Sequence, residues 1–322
     1  MYTSNPGYQS SLTLPEVYSF TVAGQPVIIT TLPDLVKADQ TEMGIATERL
    51  ADLAKDRLDK LQLSPDQTML FTKRSGDNSR IIDLINESYG LNTGLSLDGM
   101  AALSVRRYLQ SGATNAGSYS YNTPAASIQC MVTPLTGYDF ECKLMNIPVK
   151  TVATGQETGV PGIGLVKFDI VFAGEFYLLT AADTLGITLS HEKTMLRRME
   201  DYGQWILRAA AINLKQINPF TMQEAIPSAV VFTGTDNAFP IQATATPQGT
   251  INHSPGAAAS CTRVASLAAL KQPREATFII RSLFGYQSLV AITETDNSSG
   301  SDIITMSVTL NVSLLQAGHL FG

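Results

Sequence analysis

Histidine is the side chain whose ordinary pKa best suits proton transfer near neutral pH, and this chain has three: His191, His253 and His319. None of them has a partner at the spacing that metal sites use. Residues 190–193 match the S-x-x-K pattern of acylating enzymes, but the companion S-D-N and K-T-G motifs are missing. Ser190 is better explained as the N-cap of a helix. These residues predict no catalytic group.

Two loop segments offer groups that bind ligands in other proteins. TGVPGIG at 158–164 has the spacing G-x-x-G-x-G, yet it precedes a predicted strand, and no Lys-Ser/Thr follows. We therefore expect a flexible turn there, not a phosphate-binding loop. DNSSGSD at 296–302 offers oxygen ligands but lacks the bidentate Glu of a calcium loop, so a hairpin turn is favoured. The sequence predicts no metal and no cofactor.

The three cysteines are an odd number without metal-type spacing. Cys130 and Cys142 flank the turn-like TPLTG and are expected to face each other across a hairpin as buried thiols, not as a disulfide. The first 20 residues lack the charged and apolar regions of a secretory signal. No apolar run approaches ~18 residues, so we expect a cytoplasmic origin and no membrane partner.

The surface that must carry these residues is poor in charge. Charged residues make up 16% of the chain, well below the typical ~25%. The net charge is −6, and the Lys and Arg residues are scattered, which argues against a surface that follows phosphates. A charge-poor surface is typical of a protein that is secreted or permanently assembled, and a charge-poor monomer stays open as the alternative.

The predicted elements change character along the chain. Residues 1–37 are predicted as an extended arm or edge hairpin, and 38–127 as a helical lobe that ends in a Gly/Ser-rich loop over 111–127. Residues 128–322 are predicted as a β-rich assembly domain with an amphipathic helix over 190–216. Helices are expected over 38–62, 78–89 and 97–110, and strands over 68–72, 128–133, 138–145, 147–153, 163–180, 228–233, 239–246, 276–283, 287–293 and 303–315.

The resulting fold class is α+β and mainly β: an antiparallel β-sandwich or barrel with one packed amphipathic helix and an inserted helical lobe. Residues 304–314 alternate strictly between apolar and small uncharged polar side chains, which predicts a long strand with one buried face. A face meant only for water would normally carry Lys or Glu, so the second face or the edge of this strand is expected to be covered, most simply by another copy of the chain. The candidate subunit interface consists of Thr305, Ser307, Thr309, Asn311, Ser313, Tyr119 and Tyr121.

Low charge, an acidic pI, β-sandwich-like segments and one amphipathic helix together resemble the structural proteins of tailed bacteriophages, most closely tail-tube subunits. The resemblance implies a homo-oligomeric ring, commonly sixfold, that stacks around a DNA channel and binds other virion proteins. It implies passive contact with DNA, a location in the virion after assembly in the host cytoplasm, and no enzymatic activity. Other virion components (neck, baseplate, capsid or decoration protein) and a small-molecule-binding or enzymatic domain without a recognisable motif stay open as alternatives.

Overall fold

A computed structural model of the chain describes residues 17–31, 68–75, 78–85, 91–92, 97–122, 125–220, 222–237, 239–247, 249–271, 277–296 and 303–318. The predicted helix over 38–62, most of the loop 296–302 and His319 lie outside these residues. Within the part that is described, no helix combines the length and apolar character that a membrane span requires.

Seventeen strands and three α-helices are described. The strands are β1 Val17–Val22, β2 Gln25–Thr31, β3 Thr68–Ser75, β4 Asn78–Ile85, β5 Leu91–Asn92, β6 Gly117–Asn122, β7 Ser127–Pro134, β8 Asp139–Val160, β9 Gly164–Phe172, β10 Phe176–Ala181, β11 Gln216–Ile217, β12 Glu224–Ala225, β13 Ala229–Asp236, β14 Phe239–Ala245, β15 Thr277–Ser282, β16 Gln287–Asp296 and β17 Ile303–Gly318. The helices are α1 Leu97–Ser111, α2 Lys193–Asn213 and α3 Ala257–Lys271.

Eight strands form a closed barrel. They follow the order β17, β16, β15, β14, β13, β10, β9, β8, and β8 pairs with β17 to close the ring. The pairs β10–β13 and β14–β15 are parallel and the others antiparallel. Helix α3 contacts five consecutive strands of this ring, and its Cys261 and Val264 are fully buried. The helix therefore fills the barrel interior.

A second curved sheet shares two strands with the barrel. The C-terminal part of β17 pairs with β1, which continues through β2, β3, β4 and β5. The N-terminal part of β8 pairs with β7, which pairs with β6. Helix α1 packs against β1, β2, β6, β7, β8 and β17. Because β8 and β17 run through both units, the two units are joined by continuous backbone hydrogen bonding.

Helix α2 packs on the outside of the barrel. Side chains on strand β13 alternate between two cores, as the period of a strand requires. Val231 belongs to the core that contains α3, whereas Val230 and Phe232 belong to the core that contains α2. The outer face of β14 meets α2 where Gly203 lies against Ala245.

The predicted sandwich with an inserted helical lobe is wrong. Residues 78–89, predicted as a helix, contain strand β4, which is paired with β3 and β5; sheet pairing outweighs a weak helical spacing. The loop predicted over 111–127 contains β6. Helix α3 was not predicted, although its alanine-rich run favours a helix. The helix over 97–110 is confirmed.

Two further predictions are corrected in detail. The strands predicted at 138–145 and 147–153 are one strand, β8, and the strand predicted at 163–180 is two, β9 and β10. The helix predicted over 190–216 is confirmed as α2, but its N-cap is Glu192, without a side-chain capping bond. Ser190 carries a buried Oγ with no partner among the described residues.

The alternation over 304–314 is confirmed as a strand with a buried apolar face, since Met306, Val308, Leu310 and Val312 are all buried. Both edges of β17, however, are paired within the chain: β16 and β1 lie along one edge and β8 along the other. The paired stretches of these edges are therefore not available to a second copy of the chain.

Candidate active site

The N-termini of α1 and α3 meet at the junction of the two units. Asp98 lies in the first turn of α1, and its Oδ1 accepts a hydrogen bond of 3.1 Å from the backbone N–H of Ala257, the first residue of α3. The first backbone N–H groups of a helix have no partner inside the helix, and the helix dipole makes that end positive. Two positive helix ends thus converge on one carboxylate.

Gly256 faces the other oxygen of this carboxylate. It is buried and has φ = 73°, a left-handed conformation that glycine adopts without strain. A Cβ atom built on Gly256 would lie 4.0 Å from Asp98 Oδ2. Glycine therefore keeps a side chain out of the space beside the carboxylate.

The environment of Asp98 raises its proton affinity. Burial raises the pKa of Asp98 from 3.8 to about 6, although the hydrogen bond from Ala257 acts in the opposite direction. Desolvation disfavours the charged form, and here it outweighs the donor. The residue itself is only partly buried, so solvent reaches some of its surface. A carboxylate with these properties is suited to accept and return a proton near neutral pH.

The thiol of Cys261, one turn into α3, is not suited to that role. It is fully buried, and burial together with the charge of Asp98 raises the pKa of this thiol well above its ordinary value. It therefore stays protonated at neutral pH, and a protonated thiol is a weak nucleophile and a weak base.

The turn that precedes α3 is held from several sides. Gln242 of β14 donates from Nε2 to the carbonyl oxygen of Pro255 at 2.7 Å. Gly256 N–H donates to Ser254 Oγ at 2.9 Å. Gln25 of β2 accepts a bond of 3.2 Å from the backbone N–H of His253. Both units thus contribute to fixing the N-terminus of α3 opposite Asp98.

Most residues that the sequence brought forward lie away from this junction. His191 is exposed. His253 is in the turn before α3, and its ring packs on Phe284 with centroids 4.2 Å apart. Gly159, Gly162 and Gly164 belong to the β8–β9 hairpin, so the prediction of a turn there is confirmed. Cys130 and Cys142 lie on the neighbouring strands β7 and β8 as buried free thiols, as predicted.

The predicted interface residues are spread over β6 and β17. Tyr121 is only 2% exposed, and its hydroxyl is 2.7 Å from Ser104 Oγ on α1. Ser307 is 3% exposed, while Asn311 is exposed. Thr305, Thr309, Ser313 and Tyr119 are partly buried. Their role at a subunit interface stays a prediction.

Sequence reasoning missed Asp98, Gly256 and the start of α3. Two signals were present: an acidic residue in the first turn of a predicted helix, and Ser254-Pro255-Gly256 before an alanine-rich run. Neither signal shows that the two segments, about 160 residues apart, meet in space.

The fold of this chain is similar to that of solved proteins named as an epimerase and a probable racemase. A hydroxyproline epimerase from Agrobacterium vitis, solved with bound trans-4-hydroxy-L-proline, matches with a TM-score of 0.79 at 16% identity, over 95% of this chain and 92% of that one. A probable proline racemase from Agrobacterium radiobacter matches with a TM-score of 0.78, also at 16% identity, over 94% of this chain and 92% of that one.

The proline racemase family model matches residues 98–313, and the chain belongs to that family. The proline racemase of Clostridioides difficile is 38% identical over 66 residues, 20% of each chain. A trans-3-hydroxy-L-proline dehydratase of Colwellia psychrerythraea is 31% identical over 93 residues, 29% of this chain and 24% of the relative. These sequence matches thus span about a quarter or less of the relatives' length.

Family membership overturns the prediction of a non-enzymatic phage subunit. The tail-tube resemblance, the ring of copies around a DNA channel, the other virion partners and the location in a virion are all wrong, because the family and the matching folds are those of racemases and epimerases. The alternative of an enzymatic domain without a recognisable motif is the one that the comparisons support. The low content of charged residues led to a wrong prediction of an assembly subunit, because buried polar strand faces are as poor in charge as an assembly surface.

Proposed function

We propose that this protein is an enzyme that breaks and re-forms a carbon–hydrogen bond beside the carboxylate of a small cyclic amino acid of the proline type. The observation that carries the proposal is the carboxylate of Asp98, with its pKa raised to about 6, at the meeting point of two helix N-termini.

The helix ends provide the binding energy for an anionic substrate. The N–H group of Ala257 already donates to Asp98, and the other first-turn N–H groups of α1 and α3 have no partner inside their helices, so they are of the kind that binds carboxylates. When a proton leaves the neighbouring carbon, negative charge moves onto the carboxylate oxygens. Fixed N–H dipoles stabilise this charge without having to reorient, which lowers the barrier to proton removal.

Asp98 supplies the base. With a pKa of about 6 it is mostly ionised at neutral pH yet holds a proton more firmly than an ordinary aspartate. It can therefore take a proton from carbon and return it. Because residue 256 has no side chain, nothing from this position stands between the reacting carbon and Oδ2.

The relatives support the substrate class. One solved neighbour is a hydroxyproline epimerase with trans-4-hydroxy-L-proline bound, and sequence relatives are named proline racemase and trans-3-hydroxy-L-proline dehydratase. Racemisation, epimerisation and dehydration of such amino acids share one step, the removal of the hydrogen beside the carboxylate. The proposal is restricted to that shared step.

The test is hydrogen exchange at this carbon. L-Proline, trans-4-hydroxy-L-proline and trans-3-hydroxy-L-proline are incubated with the protein in D2O, and loss of the Cα–H signal, or formation of a dehydrated product, is followed by proton NMR. We expect turnover of at least one of them. Asp98→Asn should lower the rate by about 10³-fold or more, because the amide has no basic oxygen while its shape is kept.

Asp139→Asn is the matched control. Asp139 is an exposed aspartate at the start of β8, so the same chemical change there should leave the rate within about twofold of the parent. Absence of turnover with all three amino acids, or full activity of Asp98→Asn, would contradict the proposal.

A further inference from the structure

The amide of Gln242 has an unused oxygen close to the candidate active site. The side chain is 0% exposed, and its Nε2 donates to the carbonyl oxygen of Pro255, next to Gly256. Its Oε1 is buried without a hydrogen-bond partner among the described residues. Since Oε1 and Nε2 share one amide group, this acceptor lies beside the turn that leads into α3.

Gln242 lies where the pairing of β14 with β15 ends. Gln242 is the last residue of β14 that pairs with β15, where it lies opposite Ser282. Beyond this point β14 is bridged by Ile251 instead, and Asn252 N–H bonds to the carbonyl of Thr244. The side chain points to the barrel interior, because its neighbours Ala243 and Ala245 belong to the outer core with α2.

A buried carbonyl oxygen without a donor is costly, and native proteins rarely keep one unless a ligand or an ordered water fills the position. Thr244, on the same face, also carries a buried Oγ1 without a partner in the described part of the chain. Of the two, Gln242 is the one bonded to the turn before α3, whose helix end favours a carboxylate.

We infer that Gln242 Oε1 accepts a hydrogen bond from the amine of the substrate and so selects amino acids over other small carboxylates. This inference rests on the proposed function. An amino acid carries its cationic amine and its carboxylate on the same carbon. With the carboxylate at the helix N-termini, an acceptor beside the Pro255–Gly256 turn is placed to meet the amine. Hydrogen bonds from charged donors are among the strong ones.

The experiment compares two ligands that differ in the amine alone. Dissociation constants of L-proline and of cyclopentanecarboxylate, in which a CH2 replaces the NH2⁺, are measured by titration calorimetry. The full chain with Asp98→Asn is used, so that no proton transfer occurs. Gln242→Met keeps the volume of the side chain but also loses the bond to Pro255, so both ligands should bind more weakly, and L-proline should be weakened by about tenfold more than cyclopentanecarboxylate.

Ser254→Ala separates recognition of the amine from support of the turn. Ser254 Oγ accepts from Gly256 N–H but has no place in the inferred amine contact, so this variant should weaken both ligands by the same factor. Gln242→Glu keeps an acceptor and loses the donor to Pro255, so the preference for L-proline should be kept or increased. If Gln242→Met does not fold, the result with Gln242→Glu tests the inference by itself.

Equal changes for both ligands in Gln242→Met, or loss of the L-proline preference in Gln242→Glu, would overturn the inference. The two proposals fail in different ways. If Cα–H exchange is found but the preference survives in Gln242→Met, only the role of Gln242 is wrong. If no amino acid exchanges its proton and neither ligand binds, the proposed function fails and the inference falls with it.

Discussion

At the residue scale, the catalytic role proposed for Asp98 is in conflict with stability. Burial of an ionisable carboxyl beside α3 destabilises its charged form, and the hydrogen bond from Ala257 compensates only in part. A neutral side chain would fold more favourably at this position. A carboxyl group that is retained despite its cost is typical of catalytic sites.

This conflict makes stability depend on pH in a defined direction. The pKa of Asp98 is higher in the folded chain, about 6, than its ordinary value of 3.8. The folded state therefore binds the proton more tightly, so the stability contributed by this group is full below about pH 4 and is lost as the pH rises through 6. The loss is on the order of 3 kcal/mol.

Asp98→Asn should remove that dependence. Relative to the parent, its free energy of unfolding should rise as the pH goes from 4 to 7, even though activity is lost. Urea unfolding at a series of pH values measures the difference, with Asp139→Asn as the comparison. A difference between Asp98→Asn and the parent that stays constant over this range would show that the pKa of Asp98 is not raised by folding.

At the element scale, β14 has to be held on both faces. Its inner face carries Gln242, and its outer face meets α2 where Gly203 lies directly against Ala245. A Cβ at position 203 would overlap with the Ala245 methyl group. The helix can approach the sheet this closely only because residue 203 is glycine.

Gly203→Ala should therefore destabilise the protein, although alanine favours helices. The overlap forces α2 away from β14, at a net cost of about 1–2 kcal/mol. Thermal unfolding measures the change. Gly159→Ala is the control, because Gly159 has no positive φ and a Cβ there meets no atom within 4 Å; we expect its stability to change by less than about 0.5 kcal/mol. Stabilisation by Gly203→Ala would refute the close packing.

At the scale of the whole molecule, β8 and β17 join the barrel and the curved sheet. The first half of β8 pairs with β7 on one edge and with β17 on the other, and its second half pairs with β9. The site needs both units, since Asp98 comes from the helix of one and Ala257 from the helix of the other. Unfolding of either unit would separate them.

The shared strands predict that both units unfold together. Leu310 on β17 is 1% exposed and belongs to the core that contains α1 and α3. Leu310→Ala should lower the free energy of unfolding by about 2–5 kcal/mol and shift one calorimetric transition as a whole. Asn311→Ala, at the exposed neighbouring position, should shift it little. Two separate transitions, of which Leu310→Ala moves one, would show that the units are independent.

The sequence alone determined the features that depend on residues close together in the chain. The alternation over 304–314, the spacing of α2 and the turns at glycines 159–164 are local patterns, and local backbone preferences and burial reproduce them. The same patterns could not show which strands pair. A long uncharged strand is the same in sequence whether its edges meet another copy or, as here, β1, β8 and β16.

Only the tertiary structure determined which residues form the candidate site. The raised pKa of Asp98 depends on its burial in the folded chain, and the place of Gly256 in the site depends on its distance from that carboxylate. Both arise from contacts between segments about 160 residues apart, which closure of the eight-stranded ring brings together. No periodicity within either segment carries this information, because a pKa and a distance between two segments are properties of the surroundings and not of the residue.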